Sequence, residues 1–191
     1  MGDKEILQFL SYINMLHNKA FIENAKKTQK LAWNIDNVLR YFYFRKNEVV
    51  LLSEELKVLD SLLNISKTRF GDKLIANVQV SNEALHQYIP HYTLITFVDN
   101  ALNYGLEGYE GSWNLDVNIS VSDNLLSIKI INSGFGCNAI TSSLYHGDNY
   151  TEYGTIGDTL HRLKEYYRDE EKVEIITKPQ KEVMVIMVLP I

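Results

Sequence analysis

A carboxylate and two amides stand together in Phe97-Val98-Asp99-Asn100-Ala101-Leu102-Asn103, a run whose other members are apolar. On a helix, Asp99 or Asn100 and Asn103 lie three or four positions apart, so the three polar groups converge on one site instead of spreading round the cylinder. Their neighbours Leu94, Ile95, Val98 and Leu102 are apolar, and a solvated polar stripe on an amphipathic helix would read the same way. Two further segments weigh against that plain reading. Ile131-Asn132-Ser133-Gly134-Phe135-Gly136 ends a strand pattern in two glycines, which allow the backbone to leave a buried sheet and a ligand to come close; an ordinary turn is the alternative. Gly154-Thr155-Ile156-Gly157 precedes a helical pattern from Asp158, where free N–H groups and the positive helix end would seat a phosphate; a simple loop-to-helix junction looks alike. Between the two, residues 138–153 are rich in Ser, Thr, Asn and Tyr and have the length of a lid over a ligand.

The elements that must position these residues follow from periodicity. Residues 5–46 contain no proline or glycine and repeat apolar side chains at helical spacing, which predicts two long helices. Ser53 is the expected N-cap of a third helix running to Arg69 and stopped by Phe70-Gly71-Asp72-Lys73. From there the period becomes two: Leu74, Ala76, Val78 and Val80, then Leu115, Val117, Ile119 and Val121 alternate with polar residues, and 125–131 follows through Ser122-Asp123-Asn124 as a hairpin. A helix is expected over 90–105 and another over 157–167, before strands at 173–177 and 183–189. The expected fold class is α+β: a two-layer α/β sandwich with a mixed sheet and helices on one face, preceded by an all-helical arm. Residues 1–50 form the arm and 51–191 the sandwich.

Composition narrows the function classes. A formal charge of −5, with no Lys/Arg run longer than Lys26-Lys27, argues against a nucleic-acid partner, whose binding depends on neutralising phosphates. No apolar run approaches the ~20 residues of a membrane helix, so no membrane contact is expected of this segment. The single cysteine, Cys137, excludes an internal disulfide and fits a cytoplasmic setting, where it reads as a packing residue.

The three chemistry-bearing segments, in this order, resemble the N, G1, lid and G2 boxes of the GHKL (Bergerat-type) ATPases, and the flanking sequence resembles the LytS-type sensor histidine kinases. Val50-Leu51-Leu52-Ser53-Glu54-Glu55-Leu56, Arg69-Phe70-Gly71-Asp72, Ile89-Pro90 and Arg162-Leu163 carry that second likeness, which spans about residues 9–191. The resemblance implies ATP and Mg²⁺ as cofactors, with Asn100 as the metal ligand and Asp99 as the acid that polarises the nucleophile. Asp99 stands where the family usually has Glu, one methylene longer. Asn103 and Tyr104 take the place of a basic residue and a histidine near the phosphates, and so offer neutral contacts. Asn132 stands where many relatives have an Asp reading adenine; its side-chain oxygen accepts the same hydrogen bond. Gly134, Gly136, Gly154, Thr155 and Gly157 would cradle phosphates, although the G2 pattern is compressed.

The resemblance further implies a homodimer through the N-terminal helices, a response regulator as partner, and transfer of the γ-phosphate to a histidine. An ungapped match, however, sets Leu7-Gln8-Phe9-Leu10 on the family's Pro-His-Phe-Leu acceptor segment, and glutamine cannot accept a phosphoryl group as imidazole does. A non-catalytic nucleotide-binding module lacking its acceptor therefore stays open beside the kinase. An anti-sigma-type serine kinase shares the ATP site but leaves the long arm unexplained. His17, the one histidine of the arm, reads as a surface or interface residue.

Overall fold

Residues 3–44, 49–104, 111–133, 154–178 and 182–191 are described by the structure, a computed structural model. The uninterrupted helical spacing at the start yields α1 (Asp3–Ile22) and α2 (Lys26–Phe44), which pack on each other as a hairpin. Asn24 makes the tight reversal at φ 54°, a conformation asparagine tolerates, and the Ala25 N–H donates to the Ala20 carbonyl at 2.8 Å. Ile6, Leu10 and Ala20 of α1 and Ala32 and Val38 of α2 are buried.

Strand β1 (Val49–Leu51) leads without a break into α3 (Leu52–Phe70). The start of α3 corrects the expectation for Ser53: the N-cap is Leu51, two residues earlier, and no side chain caps the helix. The reason is tertiary. β1 pairs antiparallel with β3 (Tyr88–Pro90), and the Leu52 N–H is satisfied by the Gln87 carbonyl at 2.8 Å, so strand pairing fixes the helix end. The other end behaves as its glycine predicts. Gly71 closes α3 at φ 60°, its N–H donating to the Lys67 carbonyl.

The remaining elements are β2 (Leu74–Val80), α4 (Thr93–Tyr104), β4 (Trp113–Ser122), β5 (Leu125–Ser133), α5 (Gly154–Tyr167), β6 (Lys172–Lys178) and β7 (Glu182–Pro190). Five strands form one sheet in the order β2-β4-β5-β7-β6. β2 runs parallel to β4, with Leu74 opposite Trp113 and Val80 opposite Ile119, while all other neighbours are antiparallel. The expected β4–β5 hairpin turns through Asp123 and Asn124, both at positive φ, the geometry of a two-residue turn matched to strand twist.

Alternation decides which sheet face is covered. Leu115, Val117 and Ile119 of β4, Leu126, Ile128 and Ile130 of β5, and Met187 and Leu189 of β7 are buried in one cluster with Leu59 of α3, Leu94 and Val98 of α4, and Leu163 of α5. The intervening Asn114, Asn118 and Ser120 are exposed. Each fully buried Leu or Ile contributes about 1.5–3 kcal/mol, so this layer of helices on one sheet face is the main stabilising contact of the α/β part. The result is the mixed-sheet two-layer sandwich with a helical arm. Two further helix starts differ from expectation: Pro90 belongs to β3 and α4 begins at Thr93, while α5 takes in Gly154.

Candidate nucleotide-binding site

Helix α4 buries Leu94, Ile95, Phe97, Val98 and Leu102 against the sheet and its neighbouring helices, which leaves Asp99 and Asn100 half-buried at the border of that face and Asn103 exposed. Burial pushes the Asp99 carboxyl above the usual carboxylate range, and a hydrogen bond from the Asn103 side chain partly opposes that by favouring the charged form. A carboxylate held this way is a stronger proton acceptor than one in water.

The direction of α5 brings the second segment to the same place. At its C-terminal end the Tyr167 hydroxyl donates to the carbonyl of Tyr88, just ahead of α4, at 3.5 Å. Two turns earlier, Thr159 Oγ1 meets Thr96 Oγ1 in the first turn of α4 at 2.9 Å. Moving backwards along α5 therefore means moving forwards along α4. The start of α5 is thus directed along α4 towards the half of that helix that carries Asp99, Asn100 and Asn103. Gly154-Thr155-Ile156-Gly157 form the first turn of α5 itself, where the sequence suggested a loop ahead of it; the first N–H groups of a helix have no partner within it and are free to bind an anion. Ile156 is buried and anchors that turn.

Asn132, only 5% exposed, lies at the end of β5 on the face that α4 covers. Its Nδ2 donates to the Ser133 carbonyl at a long 3.4 Å. The strand end is fixed by Trp113, whose indole N–H donates to the same carbonyl at 2.7 Å, and by Ser133 Oγ, which accepts the Asn114 N–H at 2.8 Å. Gly134, Gly136, Cys137 and the expected lid over 138–153 lie outside the described residues, as do the side chains of Tyr104 and Thr155.

Among the described residues no three His, Cys, Asp or Glu side chains cluster as a metal cage. That suits Mg²⁺ in a phosphate site, because the ion draws most of its octahedron from phosphate and water and needs few protein oxygens. Asn100, next to Asp99 in sequence and half-buried like it, carries an amide oxygen of that kind. In the arm, Gln8 is exposed and donates to the Tyr12 hydroxyl at 2.6 Å. His17 is half-buried within 3.3 Å of Gln29 Nε2 and close to the Trp33 ring.

One side chain at this site escaped the reading of the sequence. Glu55 of α3 is fully buried. One carboxylate oxygen accepts the Tyr41 hydroxyl at 2.6 Å and the Tyr92 N–H, and the other accepts the Leu94 N–H at 2.7 Å and the Ile95 N–H at 3.4 Å. Burial raises its carboxyl above the usual range, and these donors work against that rise. A signal existed: Leu52, Glu55, Leu59 and Leu62 follow helical spacing, so Glu55 occupies an apolar-face position that a solvated glutamate would not.

The histidine kinase family model matches residues 8–74. The sensor histidine kinase BtsS of Escherichia coli K12 is 25% identical over 195 aligned residues, covering 94% of this chain and 33% of that protein. The sensor protein LytS of Oceanobacillus iheyensis is 33% identical over 124 residues, covering 64% of this chain and 21% of LytS. The chain thus spans a third or less of these curated relatives. In fold, the chain is similar to the histidine kinase domain of the Erythrobacter litoralis EL346 blue-light activated kinase, with a TM-score of 0.52 at 13% identity over 97% of this chain and 85% of that one. It is also similar to the catalytic domain of the histidine kinase ThkA, with a TM-score of 0.53 at 12% identity over 76% of this chain and 96% of that one. Among the described residues no helix is long and apolar enough to cross a membrane. These matches support a likeness of this chain to the C-terminal region of the LytS-like sensor histidine kinases.

Proposed function

We propose that this chain binds Mg-ATP between α4, the end of β5 and the first turn of α5, and transfers the γ-phosphoryl group to a histidine. The contact of Thr159 with Thr96, which directs the glycine-bearing start of α5 along α4 towards Asp99 and Asn100, supports this most directly. In this reading Asn100 holds Mg²⁺, which neutralises phosphate charge, and Asn132 accepts the adenine amino group. Gly154, Thr155 and Gly157, with Gly134 and Gly136, contact the phosphates, while Asn103 and Tyr104 add neutral contacts. Asp99 takes the proton from one ring nitrogen of the histidine as the other, unprotonated nitrogen bonds to the γ-phosphorus and the bridging oxygen leaves with ADP. Residues 51–191 form the nucleotide-binding domain and 1–50 the arm. The working place is the cytoplasm, where ATP and a response regulator are available.

Gln8 favours a second reading, a nucleotide-responsive module without phosphotransfer, since this exposed residue stands at the acceptor position. Incubation with Mg-ATP labelled at the γ-phosphate separates the two. Acid-labile label on protein is the expected result; saturable binding without label supports the module, and no nucleotide binding sinks both.

The arm carries apolar side chains that its own hairpin leaves uncovered: Phe9, Tyr12, Met15 and Leu16 are each 45% or more exposed. Pairing with the same helices of a second copy would cover them in a four-helix bundle. Sedimentation velocity should show a dimer at micromolar concentration, and Phe9→Glu/Leu16→Glu a monomer. A wild-type monomer would remove the pairing.

A further inference from the structure

Helix α4 lacks a cap from its own sequence. Tyr92, just ahead of it, sits at φ 74°, a left-handed conformation that costs a bulky residue energy, and Thr93 Oγ1 turns back to the Pro90 carbonyl at 2.6 Å. The N–H groups that a Ser or Asp N-cap would ordinarily serve go to Glu55 on α3. The same carboxylate accepts the hydroxyl of Tyr41, which belongs to the arm helix α2. We infer that Glu55 is a positioning residue: it caps the nucleotide-site helix from outside and, held by Tyr41, makes the setting of Asp99 and Asn100 depend on the helical arm. This rests on the nucleotide reading above for its functional half only.

Further contacts between the arm and the same turn point the same way. His91, 3% exposed, places Nε2 3.2 Å from the Tyr41 carbonyl; a carbonyl only accepts, so this nitrogen carries the proton. The Tyr41 and His91 rings lie 4.5 Å apart, and Phe42 stacks on Tyr92 at 4.8 Å. Arg162 of α5 lies within electrostatic reach of both Glu55 and Tyr92. Helices α2 and α4 therefore meet on one carboxylate of α3. The strained Tyr92 backbone is kept by these contacts, and a shift of the arm that withdraws the Tyr41 hydroxyl leaves a buried carboxylate one donor short. Because α4 is a single rigid helix of 12 residues, its start cannot tilt without moving Asp99 and Asn100.

The test uses the full chain with Tyr41→Phe, Glu55→Gln and both together. Amide hydrogen exchange at residues 92, 94 and 95 is measured without nucleotide, and Mg-ATP affinity by titration. Tyr41→Phe should speed exchange at those amides about fivefold and Glu55→Gln roughly tenfold or more, while amides of β5 keep their wild-type rates. Mg-ATP affinity should fall in the same order, with the double variant no worse than Glu55→Gln alone. Wild-type exchange and affinity in Tyr41→Phe overturns the inference, and so does a Tyr41→Phe effect of full size in the Glu55→Gln background. If Glu55→Gln does not fold, Tyr41→Phe alone decides by the same criterion. A wild-type chain that binds no nucleotide overturns the nucleotide reading, and the exchange rates still decide whether the arm is tied to α4.

Discussion

An Asn100→Ala chain is expected to bind Mg-ATP at least about 100-fold more weakly than wild type while melting at nearly the same temperature. The size follows from what the side chain does in the proposed site. Mg²⁺ keeps water wherever it can, and an amide oxygen in place beside the phosphates is a contact that water replaces poorly once the site is closed. The fold should be spared, because Asn100 lies at the border of the buried face of α4 and the packing is done by Leu94, Val98 and Leu102. Repeating the titration with ADP in EDTA isolates the metal: wild type and variant should then bind alike. An equal loss with and without metal would show that the substitution damaged the pocket, and the assignment of Asn100 would fall.

Asp99→Asn should move rate and stability in opposite directions. Loss of a positioned base is expected to slow transfer by roughly 10²–10⁴-fold, read as acid-labile label formed per unit time. The same change should make the protein more resistant to heat at neutral pH. Burial raises the Asp99 carboxyl pKa in the folded protein above its value in the unfolded chain, so the folded state holds this proton more tightly. Above that raised value the charged carboxylate costs stability, and the cost disappears as the pH falls through it. An asparagine carries no such cost and still offers an oxygen to the Asn103 side chain. The melting difference should therefore be present at neutral pH and close in acid. A variant that loses stability at pH 7, or keeps wild-type transfer, would remove Asp99 from the role of a buried base.

Much of this architecture is readable in the residues. Leu115, Val117 and Ile119 alternate with polar neighbours because one sheet face is solvated, and Asp123-Asn124 fits the two-residue turn it makes. What the residues hide is pairing between segments far apart in sequence. The two-stranded sheet of β1 and β3 is too short to show a period, yet it moves the N-cap of α3 from Ser53 to Leu51. Likewise, the packing of α5 on α4 depends on contacts such as Thr96 with Thr159 that no local pattern announces. Glu55 is the instructive case. A glutamate in an amphipathic helix is usually solvated, and only its place in the row Leu52, Glu55, Leu59 marks it as buried; what it caps is visible only in three dimensions.

The parallel pairing of β2 with β4 also bears on the order in which the molecule can assemble. Bringing Leu74 opposite Trp113 closes a loop that contains β3 and the whole of α4, so the chain loses the entropy of that closure before the sheet contacts repay it. The hairpin of α1 and α2 has no such delay, since its contacts join near neighbours in sequence. Synthesis from the N-terminus reinforces the difference, because β6 and β7 emerge last and β7 is the central partner of β5. Topology thus places completion of the sheet that carries the proposed nucleotide site late in folding, after the helical hairpin proposed to pair with a second copy has formed.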